Sequence, residues 1–225
     1  VYGISTDWLG RVVEAACGKP LDEYLTAHLF TPLGMHATTF SPDDAQRARC
    51  MPVHARDEHG DWVATDIDWE RSPTWWPGGH GLYSTPQDFL VFQRMLLGGG
   101  TLGQVRILAP STVREAFTNR IGDLWFPAHI RTADPGASGD FVAGPGRKWG
   151  WGLLLDTGGT PAMRSAGSGG WAGMFNTYFW VDPHAGLTAA LFTQTRPFVD
   201  PRILRVLDRF ERSLYTAHDP RRKGD

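Results

Sequence analysis

The run from Phe175 to Thr193 constrains the fold of this chain most. Phe175–Val181 and Leu187–Thr193 are short apolar runs holding aromatic and β-branched residues, which suit a pleated, half-buried surface. Between them stands Asp182-Pro183-His184-Ala185-Gly186. Aspartate closes local turns, proline presets φ and glycine takes φ above zero, so the two runs double back as an antiparallel hairpin. A lone hairpin is not stable in water and needs a further strand or a helix on its apolar face. Gly150–Asp156 reads as a third strand. Pro201–Tyr215 reads as an amphipathic helix with Ile203, Leu204, Leu207, Phe210 and Leu214 on one side, the spacing of a helix laid on a sheet.

Upstream the periodicity is helical. Ser5–Ala16 predicts a helix capped by Ser5, Thr6 or Asp7, with Leu9, Val12, Val13 and Ala16 as its apolar stripe and Gly18 as its end. Pro20 opens a second helix with Leu21, Tyr24, Leu25 and Leu29 on one face, and Thr31–Met35 stops it. Met51–Arg56 and Trp62–Ile67 predict a hairpin. Ser84 or Thr85 caps a helix over Pro86–Leu97, with Phe89, Phe92, Met95 and Leu96 inward and Asp88 and Arg94 on a solvated face. Ser111–Phe117 is a short helix, and Gly122–Arg147 a long loop. The fold class is therefore α+β, an antiparallel sheet flanked by helices beside a mostly helical region. Residues 1–149 hold the helical region and its loops, 150–217 the strands and last helix, and 218–225 a loose tail. Three strands leave an exposed sheet edge, so a partner strand from an upstream segment is expected.

Charge narrows the function. A formal net charge of −2 with mixed signs offers neither nucleic acid nor an anionic membrane a basic surface. No apolar run nears the roughly 18–20 residues of a membrane span. Cys17 and Cys50 are the only cysteines; without metal-site spacing they read as reduced packing residues. Few cysteines and no visible leader favour the cytoplasm, an expectation that an upstream signal peptide would overturn. Ten tryptophans supply rings for a core and for a cleft wall.

Chemistry-bearing motifs are few. Ser-x-x-Lys is absent: Ala16, Pro145 and Pro220 stand three places before Lys19, Lys148 and Lys223. Tyr2 precedes a helix start, where a tyrosine either packs or projects into a cleft; as a base its phenol, near ~10 when free, needs a neighbouring cation. Pro77–Thr85 is a glycine-rich turn containing His80, read either as a structural turn or as backbone that approaches a ligand. Gly167–Pro183 places small residues around Trp171 before a strand, and backbone N–H groups on a strand edge there can face a developing oxyanion.

These signals occur in an order that resembles one family. "YGISTDWLG", "EAACGKPLDEYL" and "LFTPLGM", then "GGHGLYSTPQDFLVFQRMLLGGG", then "WAGMFNTYFWVDPHAGLTAALFTQ" are similar to the C-terminal part of serine hydrolases of the class C β-lactamase-like superfamily, and most of all to family VIII carboxylesterases. The resemblance implies acyl transfer through a serine ester. It implies Tyr2 as the motif tyrosine that helps deprotonate the serine and reprotonates the leaving group. It implies Trp171-Ala172-Gly173 as the third motif, where β-lactamases carry Lys-Thr-Gly, and the Met174 backbone N–H as half of an oxyanion hole. Ile4 stands where β-lactamases carry asparagine, a departure that favours plain esters over lactams. Trp75, Trp76, His80, Tyr83, Trp125, Trp171 and Met174 are the candidate cleft residues. The family's serine and lysine would fall before Val1, so an N-terminal segment bearing Ser-x-x-Lys is the implied partner, beside a small ester substrate; no metal or organic cofactor is implied. The alternatives are β-lactamase, D-aminopeptidase or acyltransferase chemistry on the same fold, or a non-catalytic fragment that assembles with an N-terminal half.

Overall fold

The computed structural model describes residues 4–67, 74–160 and 163–218. Tyr2 lies outside the described residues, as does the tail beyond His218.

Helix α1 spans Ser5–Cys17 and ends on Gly18, whose φ of 69° lets its N–H return to Glu14 O at 2.8 Å. Ile4 occupies the N-cap with no side-chain cap bond, so the expected Ser5, Thr6 or Asp7 cap is not formed. α2 (Leu21–Leu25) runs through a π-helical turn (Thr26–Phe30) into α3 (Thr31–Leu33), which ends at Gly34 with φ 72°. The helical stop thus falls at Gly34, within the expected Thr31–Met35. α4 (Asp44–Arg47) carries a full Asp43/Gln46 capping box. β1 (His54–Arg56) and β2 (Trp62–Ala64) form the expected hairpin, trimmed to its centre. α5 covers Pro86–Leu97, with Thr85 as its N-cap accepting from Asp88 N–H at 3.2 Å. β3 (Thr101–Leu102) pairs with β4 (Val105–Arg106), and α6 covers Pro110–Ala116. β5 (His129–Ile130) and β6 (Phe141–Val142) pair within the stretch read from sequence as loop.

The main sheet follows: β7 (Arg147–Trp149), β8 (Leu154–Asp156), β9 (Gly169–Gly173), β10 (Thr177–Asp182) and β11 (Leu187–Leu191), before α7 (Pro201–His218). Five strands lie in the order β11-β10-β9-β8-β7, each antiparallel to its neighbour. The sequence reading found three. β9 escaped it because Gly-Gly-Trp-Ala-Gly has little intrinsic strand preference. Its glycines serve close approach instead: a Cβ on Gly170 would sit 2.2 Å from Phe179 O.

Helices cover both faces. On one, α5 packs Phe89 edge-on to Phe179 at 5.0 Å, and the core gathers Phe30, Leu33, Met35, Met95, Leu96, Val113 and Val181. Fully buried Gln93 donates to the carbonyls of Trp180 and Ala189, both at 2.9 Å, and so stitches α5 to the sheet. On the other face, buried Trp180 meets Phe210 of α7 at 6.0 Å, and its Nε1–H donates to Tyr215 Oη at 3.2 Å. Arg164 lies over the Trp180 ring and pairs with Glu211 at 2.7 Å. Burial pushes the Asp182 carboxyl up, but N–H donors from Ala185 and Ser165 and the Tyr215 hydroxyl outweigh it and hold the carboxyl below its ordinary range.

Some sequence expectations invert. Leu9 and Val12 are 56% and 59% exposed, as are Ile4 and Trp8 at 66% and 63%, while Gly10 is the buried residue of α1. α1 docks by its glycine side, so its apolar stripe faces outward. Asp88 is not on a solvated face: its carboxylate accepts from Ala37 N–H at 2.8 Å and Thr38 Oγ1 at 2.9 Å, tying α5 to the segment after α3. Leu204 of α7 is exposed rather than inward, and Cys50 is exposed rather than packed.

Asp200 couples the β1–β2 hairpin to α7. Its carboxylate receives Arg56 Nε and Nη2 at 3.0 Å and the N–H groups of Arg202 and Ile203 at 2.8 and 3.3 Å. Burial opposes its charge, but these donors prevail and lower its pKa. A carboxylate depressed in the folded state adds stability that is present above its unfolded pKa, near ~4, and is lost as pH falls through the folded value. Asp200→Ala therefore costs about 2 kcal/mol at pH 7, an N-cap plus a partly exposed ion pair. Urea unfolding at pH 7 and pH 3 checks this: the gap between wild type and variant narrows at pH 3.

Candidate active site

β9 has one open edge. β8 pairs with it only at Leu154↔Gly170 and Leu155↔Gly169, whereas β10 runs its full length from Gly169↔Val181 to Gly173↔Thr177. Backbone groups alternate sides along an antiparallel strand. Ser168 O accepts from Asp156 N–H at 3.0 Å on the β8 side, so Gly170, Ala172 and Met174 direct their groups that way too. β8 no longer reaches Ala172 and Met174, which have no strand partner on that side among the described residues.

The turn into β10 sets the last of these amides. Gly173 O accepts from Asn176 N–H at 3.0 Å, and Asn176 has φ 59°. This is a three-residue hairpin loop, a turn followed by a left-handed residue. In a trans peptide the N–H points opposite to its carbonyl. With Gly173 O held inside the turn, the N–H of Met174 on the same peptide unit points out at the open edge. The Met174 side chain is 47% exposed.

An aromatic wall stands beside this edge. The half-buried Trp171 indole meets Trp149 at 4.6 Å and 90°, Phe141 at 5.8 Å and Phe126 at 5.9 Å. Phe126 stacks on Trp149 at 5.5 Å, and Phe141 on Phe198 at 5.9 Å. Contacts on several sides fix the Trp171 ring and make the wall apolar. Trp149, Phe126 and Phe141 were missed from sequence because they sit in β7, β6 and the connecting loop, where only the β9 register brings them to Trp171. A fold-level signal did exist: the density of rings between Trp125 and Trp151.

Of the other candidates, His80 stands at the start of α1. Gly78 packs against its first turns, and a Cβ there would lie 2.4 Å from Thr6 O and 2.8 Å from Gly10 N. Asp7 Oδ1 accepts from Gly79 N–H at 2.9 Å and lies 3.1 Å from His80 Nδ1. His80 is exposed, with Trp75 edge-on at 6.4 Å. Asp7 is thus a partner for His80 that the sequence read only as a cap. Trp76 is half-buried against Phe40 at 5.6 Å. Tyr83 bridges to Thr39 and receives the Arg47 guanidinium over its ring at 5.9 Å. Trp75 and Trp76 also border an open groove of about 370 Å³ whose other lining includes Arg11, Glu14 and Lys19, and no residue of the third motif. Trp125 belongs to neither group: it is exposed and holds the Lys148 ammonium over its ring at 4.0 Å. The first turn of α5 links the two groups, since Tyr83 leads into it and its Phe89 packs on Phe179, the residue opposite Trp171. Among the described residues no group of three or more His, Cys, Asp or Glu is placed to hold a metal ion. No helix among them is long and apolar enough to cross a membrane.

A family model described as Beta-lactamase matches residues 3–211. The chain belongs to the Beta-lactamase family. Its architecture is the α+β fold of that family, and TM-score and coverage say the same. The unliganded simvastatin synthase LovD of Aspergillus terreus superposes with a TM-score of 0.83 at 26% identity, over 97% of this chain and 56% of LovD. An uncharacterised Mycobacterium tuberculosis protein is 31% identical over 87% of this chain and 49% of its own length. Monacolin J acid methylbutanoyltransferase of Aspergillus terreus is 28% identical over 97% of this chain and 54% of its own length. Lovastatin esterase of Penicillium rubens is 30% identical over 68% of this chain and 39% of its own length. This Beta-lactamase-family chain spans about half the length of the first two of these relatives.

Proposed function

We propose that this chain is part of a family VIII-type serine carboxylesterase that cleaves small to medium acyl esters through an acyl-serine intermediate. The observation that carries the reading is the open edge of β9, where the Met174 N–H faces outward beside an apolar wall. In this role the Met174 N–H donates a hydrogen bond to the tetrahedral oxyanion, and one such donor is worth about 3 kcal/mol in the transition state. Trp171 stands where lactam-binding members carry a lysine, so a neutral acyl group, not a carboxylate, suits the wall. Tyr2 is assigned proton transfer by its place in the motif. Trp75, Trp76, His80 and Tyr83 are assigned to the cleft at the α1 end, and Trp125 to a more distant rim.

The nucleophile is assigned to a segment outside these residues, bearing Ser-x-x-Lys. The outward stripe of α1 supports this. Ile4, Trp8, Leu9 and Val12 together expose a contiguous apolar face on one helix, the kind of patch that marks a packing surface. The relatives' further length, about as long again as this chain, is the occupant we assign to it.

The test is turnover by the complete polypeptide. p-Nitrophenyl butyrate gives a burst of one equivalent followed by steady hydrolysis, nitrocefin turns over more slowly, and residues 1–225 alone give no burst. Faster nitrocefin turnover moves the assignment to β-lactamase, and a burst from 1–225 alone removes the need for an outside nucleophile. A second reading, transfer of the acyl group to an alcohol instead of water, is favoured by the match to the methylbutanoyltransferase across 97% of the chain. Added alcohol distinguishes it: the acyl product then appears as a new ester at the expense of free acid.

A further inference from the structure

We infer that Asn176 is the positioning residue for the Met174 amide, and so sets the oxyanion site without touching substrate; the inference rests on the acyl-ester reading above. The left-handed position of a three-residue hairpin loop usually goes to glycine, because a side chain there is disfavoured. This chain places a fully buried asparagine there, at φ 59°. Among residues with side chains, asparagine tolerates that conformation best.

Its amide is fully committed. Nδ2 donates to Pro197 O at 2.8 Å and Thr195 O at 3.0 Å, with Thr195 Oγ1 at 3.3 Å. Oδ1 accepts from Tyr178 Oη at 2.8 Å and from Asp200 N–H at 3.3 Å. Two donors and two acceptor sites are all that an asparagine amide has. Val199, a β-branched residue with φ 57°, adopts a strained left-handed conformation immediately before the Asp200 N–H that meets Oδ1. Such strain persists only where its surroundings over-determine it.

The consequence reaches Met174 through its own peptide unit. The Asn176 N–H holds Gly173 O, and Gly173 O and Met174 N–H are the two ends of one planar unit. The last two carbonyls of the turn are clasped too: Phe175 O accepts from Thr193 Oγ1 at 2.7 Å and from Thr195 N–H at 3.2 Å, and Asn176 O accepts from Thr193 Oγ1 at 3.2 Å. Asn176 thus anchors the loop to the 193–200 segment, and the anchored loop aims the Met174 amide at the open edge. A hairpin needing only a turn would be served by glycine; the side-chain bonds of Asn176 serve accuracy of placement.

The experiment uses the complete polypeptide and three variants. Asn176→Ala removes the side chain and disfavours the backbone; Asn176→Gly removes the side chain and keeps the backbone. Glu211→Gln weakens the buried pair with Arg164 on the far face and serves as a stability control. Acylation by p-nitrophenyl butyrate, binding of butylboronic acid and Tm are measured for each. Asn176→Ala and Asn176→Gly lower kcat roughly 10–100-fold, less than removal of an oxyanion donor outright, with KM within about twofold. Boronate affinity falls by the same factor, because the boronate oxygen reads the oxyanion site while KM does not. Glu211→Gln lowers Tm and keeps kcat and boronate affinity. A drop in Tm alone for Asn176→Gly, with kcat and boronate affinity at wild-type values, overturns the inference and leaves the esterase reading standing. Absence of any acyl-enzyme in the wild type overturns both.

Discussion

Replacing Tyr2 by phenylalanine in the complete polypeptide lowers kcat on p-nitrophenyl butyrate by about 10²–10⁴-fold, the usual contribution of a positioned proton-transfer group. The substitution deletes one oxygen and keeps the ring, so Tm is expected to stay within a degree or two of wild type. In the proposed mechanism the phenol accepts the proton from the serine during acylation and donates it to the departing alkoxide. Loss of that group therefore slows the burst phase itself, not only the steady rate. A p-nitrophenolate leaving group needs little protonation, and an alkyl butyrate needs much. The defect is accordingly larger on ethyl butyrate than on the nitrophenyl ester. Equal burst rates for wild type and Tyr2→Phe would remove Tyr2 from the chemistry and send the search for a base elsewhere.

Gly78→Ala comes next in size. A Cβ at Gly78 meets backbone on every near side: Thr6 O at 2.4 Å, Gly10 N at 2.8 Å and Gly10 Cα at 3.1 Å. No rotamer relieves a clash with main chain, so α1 must move off the turn, at an overpacking cost of about 1–3 kcal/mol. The part of α1 that moves begins at Ser5, three residues after Tyr2, the proposed proton-transfer group. A displacement near 1 Å at a reacting group costs on the order of 10²-fold in rate, so kcat falls far more than stability alone requires. Gly79→Ala is the graded comparison, since its Cβ first meets the Asp7 carboxylate at 2.8 Å, a side chain that can turn aside. Gly158→Ala, with nothing within 4 Å, is the neutral control. The expected order of kcat is Gly158→Ala at wild type, Gly79→Ala intermediate and Gly78→Ala lowest. Wild-type kcat in Gly78→Ala would separate the glycine turn from the site.

The helix over Pro86–Leu97 and the hairpin after Phe175 were legible because each depends on neighbours within a few residues. A proline at a first turn, a threonine cap and an Asp-Pro…Gly turn act locally, and the structure forms all of them. β9 was legible only as small residues around Trp171. Its extended state comes from β10 pairing along its whole length and from glycines that a Cβ would push apart. Asp88 read as a solvated residue because the N–H of Ala37 that it caps lies 51 residues away. The stripe of α1 was legible as apolar, and the structure turns Leu9 and Val12 outward: periodicity reports that a face wants cover, not which body covers it.

The candidate site divides the same way. The order of motifs marked Trp171-Ala172-Gly173, Met174 and the glycine turn. It did not mark Trp149, Phe126, Phe141 or Asn176, which carry no motif and act by contact. Fold class, turn positions and helix limits follow from short-range hydrogen bonding and from the periods of helix and strand, which any window of residues displays. The unpaired stretch of β9, the direction of the Met174 N–H and the ring packing around Trp171 follow from strand register. Register is a property of two segments together: a shift by one residue would turn every one of these groups to the other side, and no single segment carries that information.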